Sequence, residues 1–381
     1  QKTAYEISLG LVGSEMCIRD RHTFYPSSTI LVLFSIPGAN CFRKILTSSQ
    51  GVNMIKMIKK HLGICSFIFA GLAMLLTPMS ASAWEPQKPV EFVIMAGAGG
   101  GADKMARLMQ VLIEKKGWSS MPLTPINKPG GSGAEALVHL KNRANSDPNH
   151  TIMVTLNSFY TTPLRQPKLG VDISTFTPVA RMAEDTFLLW VHKDTGITNV
   201  DQFVSAAKSK GSNWIMAGTG KLQEDQLLTD FLNAAYGLNM KYVPYKGGGK
   251  VAKQLAGKHA NSTVNNPSEQ MGFYEAGTTV ALAAFTAKRL PMFPNAPTFR
   301  ELGKDYVYYM QRSVVGAPGM SYAAASYYQR LFKKVYNSDE WQKYRKKKSL
   351  MGDFMTGTEL QDYWQKEREI HKNILKKMGA L

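Results

Sequence analysis

The sequence predicts an α/β protein of two lobes joined by two crossing strands. Short apolar runs typical of strands alternate with amphipathic helical segments from residue 90 onward. This alternation predicts strand–helix–strand units with parallel strands and right-handed crossovers. The periodicity starts afresh near Trp190, which indicates a second lobe.

Each lobe is predicted from its own series of segments. Lobe one begins with a strand over 90–96, and the segments that follow are a helix over 102–116, strands over 121–127 and 150–157, and a glycine loop that runs into a helix over 129–144. Lobe two contains helices over 199–210 and 223–237 and strands over 213–218, 240–246 and 280–285. The remaining residues are expected to be mostly helical and to pack on the first lobe. The predicted boundaries are 84–189 with 286–381 for lobe one, and 190–285 for lobe two.

The residues before Trp84 are predicted not to belong to the folded protein. Residues 1–21 back-translate codon by codon into an adapter used to prepare DNA sequencing libraries, and 22–53 are interpreted as read-through of an untranslated region. A basic start, an apolar run and Ser80-Ala81-Ser82-Ala83 follow over 54–83, which is the order of a secretory signal peptide. Cleavage is expected after Ala83, and the expected location is the periplasm.

Cysteine usage and charge narrow the possible functions. Cys17, Cys41 and Cys65 all precede Trp84, so disulfides, thiol nucleophiles and cysteine metal sites are excluded from residues 84–381. Those residues carry 38 Lys and Arg against 25 Asp and Glu, a formal charge of +13, which favours an anionic partner. The basic run over 343–348 is interpreted as a solvated helix face, and no nucleic-acid partner is expected for an exported protein.

A glycine-rich loop lies between the first predicted strand and the first predicted helix. Residues 97–102 satisfy G-x-G-x-x-A, a pattern that lets an anion approach the backbone N–H groups at a helix N-terminus. The next strand ends in Asn127-Lys128, without the acidic residue that would bind a ribose hydroxyl. A carboxylate is therefore the predicted anion, and a dinucleotide-dependent oxidoreductase is the less favoured alternative.

Catalytic and metal-binding patterns are weak. Ser132 follows a Pro-Gly-Gly turn and lacks the second glycine of a nucleophile elbow. The histidines after Trp84 are not at metal-ligand spacing; they are His139, His150, His192, His259 and His371. We therefore expect no catalytic residues, no metal and no cofactor, although a secreted α/β hydrolase with a triad assembled only in the fold remains an alternative.

Six loops have one form, a strand that ends in small or amide residues before a helix. In parallel sheets such loops gather at the carboxyl edge of the strands, where ligands bind. Three come from each predicted lobe, so together they could face one cleft. The six loops are 96–101, 129–133, 157–158, 218–220, 245–248 and 265–268.

Four segments in this order resemble a known family. They are "WEPQKPVEFVIMAGAGGGADKMAR", "NKPGGSGAEAL", "YVPYKGGGK" and "NNPSEQ". Across Trp84 to Leu381 the chain resembles the extracytoplasmic solute receptors of tripartite tricarboxylate transporters, the Bug receptors. The resemblance implies a type 2 (Venus-flytrap) periplasmic binding fold with two crossing hinge strands and a helical C-terminal segment. It also implies a monomer, not an enzyme, that binds a small di-, tri- or aromatic carboxylate and delivers it to a membrane permease.

The resemblance also implies a set of ligand-binding residues. The backbone N–H groups of Gly99, Gly100 and Gly101 would hold a carboxylate with ordered water, and Asp103 would be favourable near the helix N-terminus. Matching loops add Asn157, Ser158, Tyr160, Thr219, Gly220, Tyr245, Lys246 and Asn266. Many members have small residues where this sequence has Phe159-Tyr160. These rings would either accommodate a larger or aromatic carboxylate or pack under the loop.

Overall fold

The structure is a computed structural model that describes residues 84–377 and 379–381. All of these residues belong to one compact unit. The predictions for residues 1–21, 22–53 and 54–83 lie outside the described residues. Within the described ranges, no helix is both long enough and apolar enough to cross a membrane.

Ten strands and ten α-helices are found among the described residues. The strands are β1 (Val90–Ile94), β2 (Leu123–Asn127), β3 (Thr151–Val154), β4 (Thr177–Asp185), β5 (Leu188–His192), β6 (Ile215–Thr219), β7 (Lys241–Tyr245), β8 (Ser262–Asn265), β9 (Thr279–Ala284) and β10 (Met310–Gly316). The helices are α1 (Gly101–Lys115), α2 (Ala134–Asn142), α3 (Ser158–Arg165), α4 (Val200–Lys210), α5 (Glu224–Tyr236), α6 (Gly248–Ala256), α7 (Pro267–Glu275), α8 (Tyr322–Tyr336), α9 (Asp339–Lys347) and α10 (Gly357–Lys377).

The strands form two five-stranded sheets. The first has the order β2-β1-β3-β10-β4 and the second the order β7-β6-β8-β5-β9. The chain passes from the first sheet to the second between β4 and β5, and it returns between β9 and β10. The predicted two-lobed α/β fold with two crossings is confirmed.

The sheets are mixed, whereas the sequence predicts parallel ones. β1 pairs in parallel with β2 and β3, but β10 is antiparallel to both β3 and β4. In the second sheet, β5 is likewise antiparallel to β8 and β9. The difference arises at the crossings, because the strands next to them, β4, β5, β9 and β10, run against their neighbours.

The expectation that the chain past residue 285 is mostly helical misses β10. All seven residues of this strand are buried, and the strand occupies the sheet between β3 and β4. Its sequence, "MQRSVVG", contains Gln311, Arg312 and Ser313 in the middle, so it has neither a continuous apolar run nor an alternating pattern. Only the tertiary partners of these polar groups make the strand stable.

Hydrophobic clusters pack on each sheet, and the C-terminal helix contacts both. The first-sheet cluster includes one face of α1 and α8, and the second-sheet cluster includes residues of α4 and α5. Between β9 and β10, Tyr306 stacks on Phe231 of α5 with ring centroids 4.0 Å apart. In α10, Trp364 packs with first-sheet residues, and Leu375 packs with second-sheet residues. The helix therefore ties the two sheets together.

Candidate functional site

A cavity of about 260 Å³ lies where loops from both sheets meet. Five of the six loops singled out in the sequence contribute to its wall, and 157–158 is the exception. The first-sheet side supplies residues 95–97, 100–102, 129–132, 156, 310 and 312, and the second-sheet side supplies 219–220, 223–225, 245–248, 266 and 269. The predicted gathering of these loops is thus seen for most of them.

Two glycine loops close the cavity by touching each other. A Cβ on Gly97 would lie 2.7 Å from the carbonyl oxygen of Lys246, and one on Gly249 would lie 2.6 Å from the carbonyl oxygen of Gly99. Real side chains do not fit at such distances, so the close approach depends on glycine at both positions. The loop before α1 and the loop before α6 therefore meet backbone to backbone.

The N–H groups expected to hold the ligand have acceptors within the protein. Gly99 N donates to Asp103 Oδ2 at 2.9 Å, Gly100 N to the carbonyl oxygen of Gly97 at 3.3 Å, and Gly101 N to Glu269 Oε1 at 2.9 Å. A carboxylate does sit at the N-terminus of α1, as the charge of a helix end favours. It belongs to Glu269 of α7, which reaches across from the second sheet. The expected ligand contact at these glycines stays a prediction.

A buried arginine faces the cavity from β10. Arg312 is 1% exposed, and its Nε and Nη2 donate to Asp185 Oδ2 at the end of β4. Nη2 also lies 3.3 Å from Asn266 Oδ1. Burial raises the pKa of Asp185, although the guanidinium beside it opposes the rise. The third nitrogen, Nη1, is buried and has no hydrogen-bond partner within the protein.

Three buried carboxylates also line the cavity, all from second-sheet helices. Glu224 and Asp225 begin α5, and Glu269 lies in the first turn of α7. Burial raises the pKa of each of them. Asp225 accepts from Thr219 N at 2.8 Å and Glu269 from Gly101 N, whereas Glu224 Oε1 has no partner within the protein.

Seven of the twelve predicted site residues line the cavity, and five do not. The seven are Gly100, Gly101, Thr219, Gly220, Tyr245, Lys246 and Asn266. Gly99 and Asp103 do not line the cavity. The Asp103 carboxylate accepts hydrogen bonds from Gly99 N, from Arg107 at 2.9 Å and from Asn127 at 3.0 Å. The others outside the wall are Asn157, Ser158 and Tyr160.

Asn157 and Tyr160 belong to a buried hydrogen-bonded group with Tyr308 and His371, which we call the Asn157 cluster. The Asn157 amide donates to the Tyr308 hydroxyl at 3.1 Å, and the Tyr160 hydroxyl donates to its oxygen. The Tyr160 ring packs on the His371 ring at 4.8 Å, and Phe159 packs edge-on against Trp364 at 4.9 Å. Of the two possibilities for these rings, packing under the loop is the one observed.

Comparison with known proteins decides the family. The profile described as "Tripartite tricarboxylate transporter family receptor" matches residues 122–380. The chain belongs to this receptor family. The family is one of solute-binding receptors, so the prediction that the chain is not an enzyme is confirmed.

Relatives and solved structures of this receptor agree with that assignment. A "UPF0065 protein in gbd 5'region" of Cupriavidus necator is 23% identical over 311 residues, which cover 81% of this chain and 94% of the relative. The structure of the periplasmic binding protein BugD superposes with a TM-score of 0.71 at 20% identity, covering 77% of this chain and 99% of BugD. The structure of R. palustris Rpa4515 with adipate superposes with a TM-score of 0.70 at 24% identity, covering 77% and 98%. These structures establish the fold.

Sequence reasoning missed the charged side chains of the receptor's cavity. Arg312 stands out only as an arginine in a short run before "SVVG", and Glu224-Asp225 as paired acids at a helix start after Gly218-Thr219-Gly220. Glu269 lies inside the motif "NNPSEQ", of which only Asn266 is among the predicted site residues. A charged residue at a helix start or in a buried strand could have indicated these positions, because burying a charge without a partner is costly. Among the described residues, no group of three or more His, Cys, Asp or Glu could hold a metal ion.

Proposed function

We propose that this protein is a periplasmic receptor that captures a small organic carboxylate and delivers it to the membrane permease of a tripartite tricarboxylate transporter. The observation that carries the proposal is the cavity between the two lobes, whose wall combines glycine loops of both lobes with the buried Arg312. The guanidinium places a positive charge at the cavity wall, and a carboxylate is the kind of anion that such a group binds best.

The cavity size favours a small acid. Sites for drug-sized ligands usually measure about 300–1,000 Å³, and this one measures about 260 Å³. Of the di-, tri- and aromatic carboxylates expected from the sequence, the short aliphatic acids fit best. Adipate, the acid in the R. palustris structure, belongs to that class.

The binding residues we propose start from the seven predicted residues in the wall. Thr219, Gly220, Tyr245 and Lys246 come from the second lobe, Gly100 and Gly101 come from the first lobe, and Asn266 contacts Arg312. Arg312 and Glu224 join this set because both are charged residues that line the cavity. The ligand would therefore touch both lobes.

Closure of the lobes on the ligand is the proposed signal to the permease. We propose 84–189 with 286–381 as lobe one and 190–285 as lobe two, with the crossings β4–β5 and β9–β10 as hinges. Because loops of both lobes form the wall, bound acid would stabilise the closed form, and only that form would dock.

Thermal shift and scattering on residues 84–381 test this function. We expect a short aliphatic acid to raise the melting temperature, since ligand at 100 times its Kd adds about 2.7 kcal/mol, and to reduce the radius of gyration. Failure of mono-, di- and tricarboxylates to shift the melting temperature would reject carboxylate capture. Binding without compaction would reject closure.

A pair of glycine variants tests the contact between the loops. Gly97→Ala places a Cβ 2.7 Å from the Lys246 backbone, and overpacking of this kind costs about 1–3 kcal/mol, so we expect binding about tenfold weaker. Gly272→Ala in α7 is the control, because its Cβ meets nothing within 4 Å and should leave affinity unchanged. Equal affinities for the two variants would show that this contact does not matter for binding.

Export and oligomeric state are further parts of the proposal. Expression from residue 54 in a Gram-negative host should give a periplasmic protein that begins at Trp84 and sediments as a monomer. Retention of residues 54–83 would contradict cleavage after Ala83.

A further inference from the structure

One carboxylate is shared by two helices that belong to different sheets. Glu269 lies in the first turn of α7, a helix whose Met271 packs with second-sheet residues. Its Oε1 accepts a hydrogen bond from Gly101 N at 2.9 Å, and Gly101 begins α1, which packs on the first sheet. Its Oε2 lies 3.4 Å from the backbone N of Asn266, which caps α7 itself. The side chain therefore joins the first turns of α1 and α7.

The same carboxylate also lies against the start of a third helix. Gly248 is the first residue of α6, and a Cβ at this position would overlap Glu269 Oε1. A Cβ on Gly100, which precedes α1, would lie 3.5 Å from the same oxygen. Helix N-termini carry a partial positive charge that attracts an anion. Three helix starts thus meet at one carboxylate, two from the second-sheet side and one from the first.

Burial strengthens the contact between Glu269 and α1. Glu269 is 9% exposed. Burial raises the pKa of its carboxyl group and Asp185 adds to the rise, whereas the Gly101 N–H, Arg312 and Lys104 oppose it and favour the ionised form. A hydrogen bond to a charged acceptor is stronger than one between neutral groups, and a low local dielectric strengthens it further. Breaking this bond should therefore have a measurable effect.

A second hydrogen bond crosses between the same two helices. Lys104, in the first turn of α1, donates from Nζ to the carbonyl oxygen of Ser268 at 2.9 Å, and Ser268 precedes Glu269 in α7. We call the Glu269–Gly101 and Lys104–Ser268 hydrogen bonds together the α1–α7 latch. Both partners of each bond are protein groups, so the latch forms without a ligand. Glu269 lines the cavity, whereas Lys104 does not.

We propose that Glu269 is a positioning residue that holds the two lobes together through the α1–α7 latch, with Lys104 in support. This inference rests on the proposed closure of the lobes and gives the closed form a stabilising contact within the protein. Part of the ligand-free protein is then closed, and bound acid shifts the remainder. Because apparent affinity rises with the population of the binding-competent form, loss of the latch weakens binding even where no ligand contact is removed.

The alternative role for Glu269 is direct contact with the ligand, since it lines the cavity. Lys104 separates the two roles, because it contacts α7 from outside the cavity wall. Direct contact predicts weaker binding for a Glu269 variant only, with no change in the shape of the ligand-free protein. The latch predicts weaker binding for variants of both residues, together with an opening of the ligand-free protein.

The experiment combines small-angle X-ray scattering of the ligand-free protein with calorimetry of succinate, glutarate and adipate, on residues 84–381. We expect Glu269→Ala to have a larger radius of gyration than the unmodified protein, and saturating acid to restore the compact value. It should bind the acid about tenfold weaker, the effect of losing one charge-assisted hydrogen bond. Lys104→Met should change both quantities in the same direction by a smaller amount. Because Lys104 is exposed, its variant tests the latch even where Glu269→Ala does not fold.

Two variants on the first-sheet side serve as matched controls. Glu91→Gln removes a partly buried carboxylate whose partner Arg143 lies on the same side, so it controls for a general loss of stability. Lys116→Met removes the lysine that caps the other end of α1 and pairs with Glu340, also on that side. Neither change breaks a bond between α1 and α7. Both should therefore leave the ligand-free radius of gyration and the affinity unchanged.

Each outcome bears on a different claim. Equal ligand-free radii for Glu269→Ala, Lys104→Met and the unmodified protein would overturn the latch. Weaker binding by Glu269→Ala alone, with no opening, would assign Glu269 to direct ligand contact. Tighter binding by Glu269→Ala would show that its carboxylate competes with the acid, which also overturns the inference. No binding of any acid by the unmodified protein would reject the proposed function, while the ligand-free radii would still test the latch.

Discussion

Two buried polar groups in this protein differ in how completely their atoms are paired. In the Asn157 cluster, the Asn157 amide donates to the Tyr308 hydroxyl and to the carbonyl oxygen of Tyr309, and its oxygen accepts from Tyr160 and from Gln311 N. In the cavity wall, Arg312 Nη1 and Glu224 Oε1 have no partner within the protein.

The difference separates a polar group that the protein pairs completely from cavity-wall residues that it pairs only in part. A fully paired buried network stabilises one arrangement of the chain, here the joining of α3, α10 and the segment before β10. Unpaired buried atoms cost free energy in the ligand-free protein, and a ligand can recover that cost. The resemblance placed Asn157 and Tyr160 in the binding site, whereas the pairing of their atoms indicates a structural role.

The largest expected effect comes from Arg312→Ala. The change leaves the Asp185 carboxylate buried without its ion pair, so we expect the free energy of unfolding to fall by about 3–5 kcal/mol. Carboxylate affinity should be lost as well. Denaturant unfolding and calorimetry at a temperature where the variant is folded measure the two effects.

Arg181→Ala is the matched control for Arg312→Ala. Arg181 is also buried and pairs with Glu184 at 2.7 Å, but it does not line the cavity. It should lower stability and leave affinity unchanged. Loss of affinity in both variants would mean that destabilisation alone weakens binding.

The second effect is a pH dependence from the Asn157 cluster. Burial lowers the pKa of His371 from 6.5 to about 4, so between these values the unfolded chain binds a proton that the folded protein does not. The neutral His371 therefore contributes about 3 kcal/mol to the free energy of unfolding above pH 6.5, and this contribution is lost as the pH falls towards 4. Urea unfolding at a series of pH values measures the slope.

His371→Gln should flatten that slope, because the variant has no imidazole to titrate. His259→Gln is the control, since His259 is exposed and lies between α6 and β8, outside the Asn157 cluster. An unchanged slope in His371→Gln would assign the pH dependence to another group.

The smallest effect is expected for Tyr160→Phe. The ring and its packing on His371 remain, but Asn157 loses one donor and keeps Gln311 N, so stability should fall by about 1 kcal/mol. Affinity should not change, because Tyr160 does not line the cavity. Tyr322→Phe, at a residue 88% exposed, should change neither quantity. Weaker binding by Tyr160→Phe alone would return Tyr160 to the ligand site.

Much of the fold could be predicted from the sequence because its signals are local. The helix predicted over 102–116 is α1, Gly101–Lys115, and the one predicted over 223–237 is α5, Glu224–Tyr236. The apolar spacing of each helix lies within the segment itself. The strand β10 could not be predicted, because its polar residues Gln311 and Arg312 are stabilised by partners elsewhere in the chain, Trp364 and Asp185.

By itself the sequence determined the alternation of strands and helices, the glycine loops and the resemblance to the receptor family. Only the tertiary structure decided which polar residues line the cavity. Gly101 meets Glu269 across 168 positions of chain, and Arg312 meets Asp185 across 127. Such pairs leave no spacing in the sequence, because the fold alone determines whether a buried charge is paired by the protein or left for a ligand.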